Sequence, residues 1–415
     1  MSFPRYSNYK DSGVEWLGEV PVHWVAVQFK QFVDIQNGAD HKHVQQAEGY
    51  PVYGSGGIFT YASDFLFDGE SVLLGRKGTI DKPLHVTGRF WTVDTMYWTK
   101  ISSGASGRFT YYLALAIPFA YYSTNTALPS MTKGALSSHI VARPPLLEQA
   151  LIATFLDRET AKIDGLVGEQ QRLMELLKEK RQAVISHAVT KGLYPDAAMK
   201  PSGVEWLGDV PAHWTCLQVG KVCNKVADGP HFSPNYVDEG VLFLSARNVK
   251  VDAWALEDVK YISENDCQEF DRRIVPQVGD ILYTKGGTTG IARVVDLDER
   301  FQVWVHIAVL KIKLELVEPY FLAFTLNSIG CYEQSQLLTR GASNNDLGLT
   351  RMIKIWFALP TMGEHKSIVT FLNTETDKFD ALTAEAQRAI DLLQERRTAL
   401  ISAAVTGQID VREFA

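Results

Sequence analysis

The chain has 415 residues, 46% of them hydrophobic and 21% charged, a composition typical of globular proteins that excludes disordered and fibrous classes. It has neither the roughly 20 consecutive apolar residues that span a bilayer nor the apolar core of a signal peptide, so we expect a cytoplasmic protein. The formal net charge of −7 at pH 7 at first argues against a nucleic-acid partner.

Two segments of the chain occur twice. The heptapeptide Ser-Gly-Val-Glu-Trp-Leu-Gly fills residues 12–18 and again residues 202–208, and both copies continue to a Val-Pro and a His-Trp pair. Residues 148–190 align without a gap on residues 364–406, and 23 of these 43 positions are identical. The chain therefore contains a duplicated frame.

The first insert between the repeats, roughly residues 25–143, is predicted to be mixed α/β. Its β-rich run at residues 71–74 is bounded by turn residues, and the apolar segment at residues 109–122 suits a helix. The insert contains ten Lys and Arg against eight Asp and Glu, so the acidity of the chain lies mainly outside it. The net charge therefore does not exclude a DNA-binding insert.

The repeated block is predicted to be helical. In the first copy, residues 146–156 suit a short amphipathic helix, and a longer helix of about 30 residues, about 45 Å in length, follows. Its apolar stripe needs a cover, which is either the other copy, packed antiparallel, or the neighbouring insert. We favour the antiparallel pair. The stripe consists of Ile163, Leu166, Leu173, Leu177 and Val184 in the first copy and of Phe379, Leu382, Leu393 and Leu400 in the second.

The second insert, roughly residues 215–358, does not resemble the first in sequence but is also predicted to be mixed α/β. Strands are predicted at residues 279–283 and 303–310, and a helix at residues 318–330. Two matching frames around two unlike inserts indicate a protein that presents two different surfaces in a fixed relation.

The sequence lacks the motifs of an enzyme. It has no G-x-x-x-x-G-K-[ST] phosphate loop, no H-E-x-x-H zinc pair and no G-x-S-x-G nucleophile elbow. The Gly-Ser-Gly-Gly run at residues 54–57 is expected to form a turn, and the four cysteines are expected to be free thiols. We therefore predict neither catalytic residues nor a metal site.

Glycine-rich loops in both inserts carry side chains that suit phosphates and base edges. Residues 75–79 and 284–290 each place a Lys among glycines and hydroxyls after a predicted strand. Glycines let the backbone approach a phosphate, while Arg, Asn and Thr can contact guanine, adenine and thymine. Any one of these loops would also suit a hairpin turn with solvated charges. The candidate DNA-binding residues are Arg76, Lys77, Thr79, Asn125, Lys133, Arg247, Asn248, Lys285, Thr288, Thr289, Arg340 and Asn344.

Several motifs of the frames and of the second insert form a specific combination. They are residues 13–18 with Val20-Pro21 and His23-Trp24, residues 145–149, Ile152, Phe155-Leu156, Ile163-Asp164, residues 176–183 and 392–399, residues 228–231 and residues 279–282. This combination resembles the specificity subunits of Type I restriction-modification systems over nearly the whole chain. The second frame departs from the first at its helix entry, where one extra residue precedes Glu364 and His365 replaces Gln149.

The resemblance implies a DNA reader without catalysis of its own. Each insert would read one half of a bipartite, asymmetric DNA target. The helices would separate the half-sites and dock two modification subunits. These subunits would carry S-adenosylmethionine, so the chain itself would need no cofactor. A restriction (motor-nuclease) subunit would join for cleavage, and no membrane would be involved. The implied domains are an N-terminal segment (1–24), target-recognition domain 1 (25–145), a central helical spacer (146–192), a linker with the second frame entry (193–214), target-recognition domain 2 (215–359) and a C-terminal helical region (360–415).

Two other hypotheses stay open at this point. A protein-interaction scaffold that does not read DNA would suit the net charge of −7. A self-contained methyltransferase or nuclease is disfavoured, because the sequence lacks the motifs that such an enzyme needs.

Overall fold

The computed structural model describes residues 3–119, 130–340 and 346–415. The chain divides into two compact units. Unit 1 comprises Met1–Gln171 and Gln387–Ala415, and unit 2 comprises Arg172–Ala386. Each unit thus holds one frame entry, one insert and one half of each long helix.

Unit 1 is built mainly of short strands. They are β1 (Tyr9–Asp11), β2 (Glu19–Pro21), β3 (Val25–Gln28), β4 (Val33–Asn37), β5 (Gln45–Gln46), β6 (Tyr50–Gly54), β7 (Gly57–Ala62), β8 (Phe67–Asp68), β9 (Ser71–Gly75), β10 (Leu84–Val86), β11 (Arg89–Thr92), β12 (Met96–Ile101) and β13 (Ile140–Arg143), with helices α1 (Gly107–Leu115) and α2 (Lys133–Ser138). The long helix α3 (Leu146–Lys191) starts in unit 1 and ends in unit 2.

Unit 2 repeats this plan. Its strands are β14 (Met199–Pro201), β15 (Asp209–Pro211), β16 (Thr215–Gln218), β17 (Cys223–Asp228), β18 (Tyr236–Val237), β19 (Val241–Leu244), β20 (Lys260–Ile262), β21 (Ile281–Thr284), β22 (Ala292–Val294), β23 (Phe301–Val303), β24 (Ile307–Ile312) and β25 (Trp356–Leu359), and its helices are α4 (Glu264–Asp271), α5 (Pro319–Leu326), α6 (Ile329–Leu338) and α7 (Leu349–Met352). The second long helix, α8 (Met362–Val405), starts in unit 2 and ends in unit 1.

The two inserts share one sheet topology, apart from the additional edge strand β8 of unit 1, although their sequences differ. One sheet has the order β10-β9-β12-β4 in unit 1 and β22-β21-β24-β17 in unit 2. The other has the order β5-β7-β6-β11-β8 in unit 1 and β18-β20-β19-β23 in unit 2. In this second sheet, β6 pairs parallel with β11 and β19 pairs parallel with β23. The mixed α/β fold predicted from the sequence is confirmed, and the equivalence of the inserts becomes visible only here.

Some predicted elements have different bounds in the structure. The strand predicted at residues 303–310 is two strands in different sheets, β23 and β24, because the chain turns where Ile307 N donates to the carbonyl of Trp304 at 2.9 Å. The helix predicted at residues 318–330 is α5 followed by α6.

The repeated block forms one continuous helix in each copy, not a short helix followed by a longer one. The helix α3 has 46 residues and α8 has 44. No Pro or Gly lies between Asp157 and Lys162, and Thr160 Oγ1 donates to the carbonyl of Leu156 at 2.7 Å within the helix. With no residue there to end it, the helix continues.

The two helix halves within unit 1 run antiparallel. Arg397 Nε donates to Asp164 Oδ1 at 2.8 Å, and Leu156, earlier in α3, shares a buried core with Ala404, later in α8. As residue numbers rise along α3, those of the contacting residues in α8 therefore fall. Unit 1 thus confirms the predicted antiparallel pair.

Unit 2 repeats this packing with the equivalent residues. The guanidinium of Arg181 lies 3.6 Å from Asp380 Oδ1, and Ala188 shares a buried core with Leu372. Arg181 also donates to Asp252 Oδ1 of the insert at 2.8 Å. The cation on the end of one helix therefore meets the carboxylate on the start of the other in both units.

Only part of the predicted apolar stripe is covered. Ile163, Leu177 and Phe379 are buried, whereas Val184, Leu393 and Leu400 are half-buried. Leu166, Leu173 and Leu382 are exposed. The long helices therefore retain apolar surface outside the packing that each unit provides by itself.

Candidate nucleic-acid interface

Four loops meet at one edge of each insert, where four strands end. In unit 1 they follow β4, β6, β9 and β11, and in unit 2 they follow the equivalent strands β17, β19, β21 and β23. We call this region the four-loop edge. In unit 1 it comprises residues 38–43, 54–57, 76–79 and 93–95, and in unit 2 residues 229–232, 245–248, 285–290 and 304–306.

Backbone hydrogen bonds hold the loops of unit 1 together. Val93 N donates to the carbonyl of Tyr53 at 3.1 Å, and Arg76 N donates to that of Thr95 at 2.9 Å. Gly38 packs so closely that a Cβ there would overlap the carbonyl oxygen of Val93. The end of β4 therefore tolerates no side chain at this position.

The same bonds recur in unit 2. Trp304 N donates to the carbonyl of Leu244 at 2.8 Å, and Lys285 N donates to that of His306 at 2.9 Å. A Cβ at Gly229 would overlap the carbonyl oxygen of Val303, as at Gly38 in unit 1. This contact explains the glycine in the Asp-Gly-Pro-His motif at residues 228–231.

The four described candidates of the first insert lie together. Arg76 is half-buried, donates from Nη1 to the carbonyl of Asp94 at 3.3 Å and lies 5.9 Å from the ring centroid of Tyr97. Lys77 and Thr79 are exposed in the same loop, and a β-bridge joins Lys77 to Ser130. Lys133, exposed at the start of α2, follows this bridge. Asn125 lies outside the described residues.

Three candidates of the second insert are exposed near its four-loop edge. Arg247 and Thr288 lie in two of the loops, and Arg340 N donates to the carbonyl of Asp346 at 3.0 Å. A β-bridge between Gly286 and Asp346 brings this segment to the edge. Asn344 lies outside the described residues.

Three other candidates are buried and support the loops. Lys285 Nζ lies 3.3 Å from Asp228 Oδ2 and 3.2 Å from Asp346 Oδ1. The side chain of Asn248 accepts from Ser245 N at 2.8 Å and donates to the carbonyl of Ala255 at 2.8 Å. Thr289 Oγ1 accepts from Gln336 Nε2 at 3.1 Å. Because these polar groups are buried and paired, we correct the expectation that Lys285, Asn248 and Thr289 present their side chains to DNA.

Asp228 is the centre of the charged network below this edge. Its buried carboxylate contacts Arg273 and Lys285, and His231 Nε2 lies 3.3 Å away. Burial opposes ionisation, but the hydrogen bond from Arg273 and the charge of Lys285 outweigh it and lower the pKa of Asp228. The sequence showed this residue only as part of a motif, because its cationic partners are distant in the chain.

The described part of the chain shows no group of three or more His, Cys, Asp or Glu residues arranged to hold a metal ion. Cys223, Cys267 and Cys331 are buried and Cys216 is half-buried, and all four are free thiols, as expected. Among the described residues, no helix combines the length and apolarity needed to cross a membrane.

Known proteins with similar sequences are specificity subunits of Type I restriction enzymes. Residues 21–174 match the family model described as the Type I restriction modification DNA specificity domain. The MjaVIII specificity subunit of Methanocaldococcus jannaschii is 22% identical over 84% of this chain and 79% of its own length. The EcoBI specificity subunit of Escherichia coli is 19% identical over 94% of this chain and 88% of its own length.

Solved structures show the same fold. A chain of the type I R-M system, 15% identical, matches 93% of this chain and 98% of its own length with a TM-score of 0.70. The HsdS subunit of Thermoanaerobacter tengcongensis, also 15% identical, matches 94% of this chain and 98% of its own length with a TM-score of 0.50. The resemblance seen in the sequence is therefore confirmed: the chain is similar to Type I restriction-modification specificity subunits over most of its length.

Proposed function

We propose that the chain is a non-catalytic subunit in which each four-loop edge reads one half of a bipartite, asymmetric DNA target. One observation carries this proposal: a single sheet topology presents different side chains at equivalent edges. Unit 1 exposes Lys77, Thr79 and Lys133, whereas unit 2 exposes Arg247 and Thr288. Phosphate contacts position a protein on DNA and base contacts specify the sequence, so unlike edges imply unlike half-sites.

The ends of each insert support their assignment as separate target-recognition domains, residues 25–145 and 215–359. Val25 of β3 pairs with Arg143 of β13, and Thr215 of β16 pairs with Leu359 of β25. Each insert thus leaves its frame through two adjacent antiparallel strands. An exchange at these strands moves a closed unit and leaves the frame intact.

The experiment that tests this proposal is an exchange of residues 25–145 for the corresponding insert of another specificity subunit. The complex with its modification subunits is expressed, and methylated adenines are mapped in the host genome. We expect one half of the methylated sequence to change while the other half and the spacing persist. The reciprocal exchange of residues 215–359 is the control and should change the other half. Change in both halves, or in neither, would refute modular reading.

We further propose that the long helices dock two copies of one modification subunit, which would bring S-adenosylmethionine. Repeat-equivalent leucines are exposed in both units: Leu166 (45%) and Leu392 (65%) in unit 1, and Leu382 (52%) and Leu176 (49%) in unit 2. Exposed apolar side chains at equivalent places suit two identical partners. A restriction subunit would join the same complex for cleavage.

Docking is tested by the mass of the purified complex. Leu166→Lys with Leu392→Lys changes the unit 1 patch only, and we expect loss of one modification subunit of the two. The matching pair in unit 2, Leu382→Lys with Leu176→Lys, should also leave one. Leu147→Lys is the control, because Leu147 is exposed on α3 outside these patches. Retention of both partners in the two double variants would contradict this assignment.

A further inference from the structure

A groove of about 420 Å³ lies at the four-loop edge of unit 2. Tyr236, Trp304 and His306 contribute aromatic rings to its lining, and Arg247, Lys260 and Thr288 contribute cationic and hydroxyl groups. Its lining contains no Asp or Glu. The groove is therefore cationic although the chain has a net charge of −7, and it suits a ligand that has both a flat ring and a negative charge.

The aromatic side of the groove is held in place. The rings of Trp304 and His306 meet edge to face with centroids 5.1 Å apart. Trp304 Nε1 donates to the carbonyl of Phe232 at 3.2 Å, which fixes the indole. A Cβ at Gly286 would overlap the ring of His306, so this glycine allows the ring to lie against the loop.

The cations of the groove are available to a ligand. Arg247 and Lys260 are exposed, and neither forms an ion pair with any residue that the structure describes. Arg273 and Lys285 of the same insert are already paired with Asp228. Arg247 and Lys260 therefore retain their charge for an anion such as a phosphate.

His306 adds a neutral polar edge. Burial, reinforced by the charge of Lys285, lowers its pKa, so the ring is uncharged near neutral pH. Nδ1 of His306 is buried, so only Nε2 can contact a ligand, as a donor or as an acceptor. Such a group can bind the edge of a nucleobase.

We propose that this groove holds a single unstacked nucleotide of the DNA half-site read by unit 2, an inference that rests on the proposed function. Its phosphate would lie against Arg247 and Lys260, and its base against the rings of Trp304 and Tyr236. A volume of about 420 Å³ lies within the range of about 300–1,000 Å³ for small-ligand sites. Stacking on aromatic rings replaces the stacking on neighbouring bases that an extruded base loses.

In unit 1, the connection equivalent to the Arg247 segment of the groove is much shorter. There β6 passes to β7 through the Gly-Ser-Gly-Gly turn at residues 54–57, whereas β19 passes to β20 through the long segment at residues 245–259 that carries Arg247. We therefore expect an unstacked nucleotide in only one of the two half-sites.

The test uses the complete complex and duplexes that carry the methylated sequence mapped above. At each position of the half-site in turn, the base opposite is replaced by an abasic residue, which leaves one base unpaired. An unpaired base is easier to extrude, so we expect one position at which affinity rises about tenfold, or about 1.4 kcal/mol. The methylated adenine is left out of the comparison, because a methyltransferase extrudes its own target base. At the other positions, a reader of base-pair edges alone gains no affinity.

Variants of groove residues test whether the rise in affinity arises at the groove. Arg247→Gln and Lys260→Gln change exposed side chains, keep the fold and should remove the gain, as should Trp304→Ala, while Trp304→Phe should restore most of it. Arg272→Gln is the matched control, because Arg272 is exposed elsewhere in the same insert. Sequence-specific binding with no gain at any position would overturn the nucleotide site and leave the proposed function standing. Absence of sequence-specific binding would instead overturn the proposed function.

Discussion

Trp24 Nε1 donates a buried hydrogen bond to Glu148 Oε1 at 3.2 Å. It joins the frame entry of unit 1 to the first turn of α3, and Tyr6 Oη donates to the same oxygen at 2.7 Å. In unit 2, Trp214 Nε1 donates to Glu364 Oε1 at the same distance of 3.2 Å. The repeat therefore preserves one three-dimensional junction at which each long helix begins.

Loss of the Glu148 carboxylate should destabilise unit 1. Glu148→Ala leaves the donors of Trp24 and Tyr6 buried without their acceptor, and each such group costs about 1–3 kcal/mol. We expect a decrease of that order in the free energy of unfolding, measured by urea denaturation. The control is Glu169→Ala, which changes an exposed carboxylate on the same helix. Equal effects of the two substitutions would contradict the role of the junction.

His365 should make the protein sensitive to mild acid. It is buried with its ring centroid 4.4 Å from that of Phe321, and burial lowers its pKa from 6.5 to about 4. Protons therefore bind the unfolded chain more readily, so the stability that His365 contributes is complete above pH 6.5 and is lost as the pH falls toward 4. We expect His365→Gln, which places the residue of position 149 here, to reduce that loss by about 1–3 kcal/mol. Urea unfolding followed across this pH interval measures it.

Glu364 provides an internal reference for this experiment. Burial opposes its ionisation, but hydrogen bonds from His213, Thr361 and Trp214 outweigh burial and lower its pKa from 4.5 to about 2. Its contribution is therefore present above pH 4.5 and is lost only as the pH falls toward 2. An unchanged loss in His365→Gln between pH 6.5 and 4.5 would show that other groups cause it.

Gly229 should tolerate no side chain. In Gly229→Ala the new Cβ overlaps the carbonyl oxygen of Val303, so two strand ends of the four-loop edge must separate. We expect a loss of stability of about 1–3 kcal/mol, as for overpacked sites, and a loss of DNA binding through unit 2. Gly134→Ala is the control, because it adds a methyl group in open space within α2 and should stabilise by about 0.5–1 kcal/mol. A neutral Gly229→Ala would mean that the loops rearrange easily.

Arg76 and Lys77 should contribute differently to DNA binding. The half-buried guanidinium of Arg76 is oriented by Asp94 and Tyr97, whereas Lys77 is exposed. If Arg76 reads guanine, Arg76→Ala costs about 1–3 kcal/mol and relaxes one base position, while Lys77→Ala weakens binding to all sequences and lowers the salt dependence. Affinities for a panel of single-base variants at several salt concentrations measure both effects. A uniform loss in Arg76→Ala would identify a phosphate contact.

The duplicated frame, the helical character of the repeated block and the resemblance to Type I specificity subunits were all readable from the amino-acid sequence. These features are local or repetitive: helix periodicity is visible within a few turns, and one alignment shows that Arg181 is equivalent to Arg397 and Asp164 to Asp380. The glycine-rich loops were also recognisable, because turn residues act on their own backbone. The two loops after β9 and β21 do prove equivalent in the fold.

Which loop side chains face solvent depends on the tertiary fold. Lys285 looked like a surface residue, yet packing between residues distant in the chain buries it between Asp228 and Asp346. Tertiary structure also gathers Tyr236, Arg247 and Trp304 from separate segments into one groove. Burial and convergence depend on contacts between residues distant in the chain, and a local pattern carries no record of them.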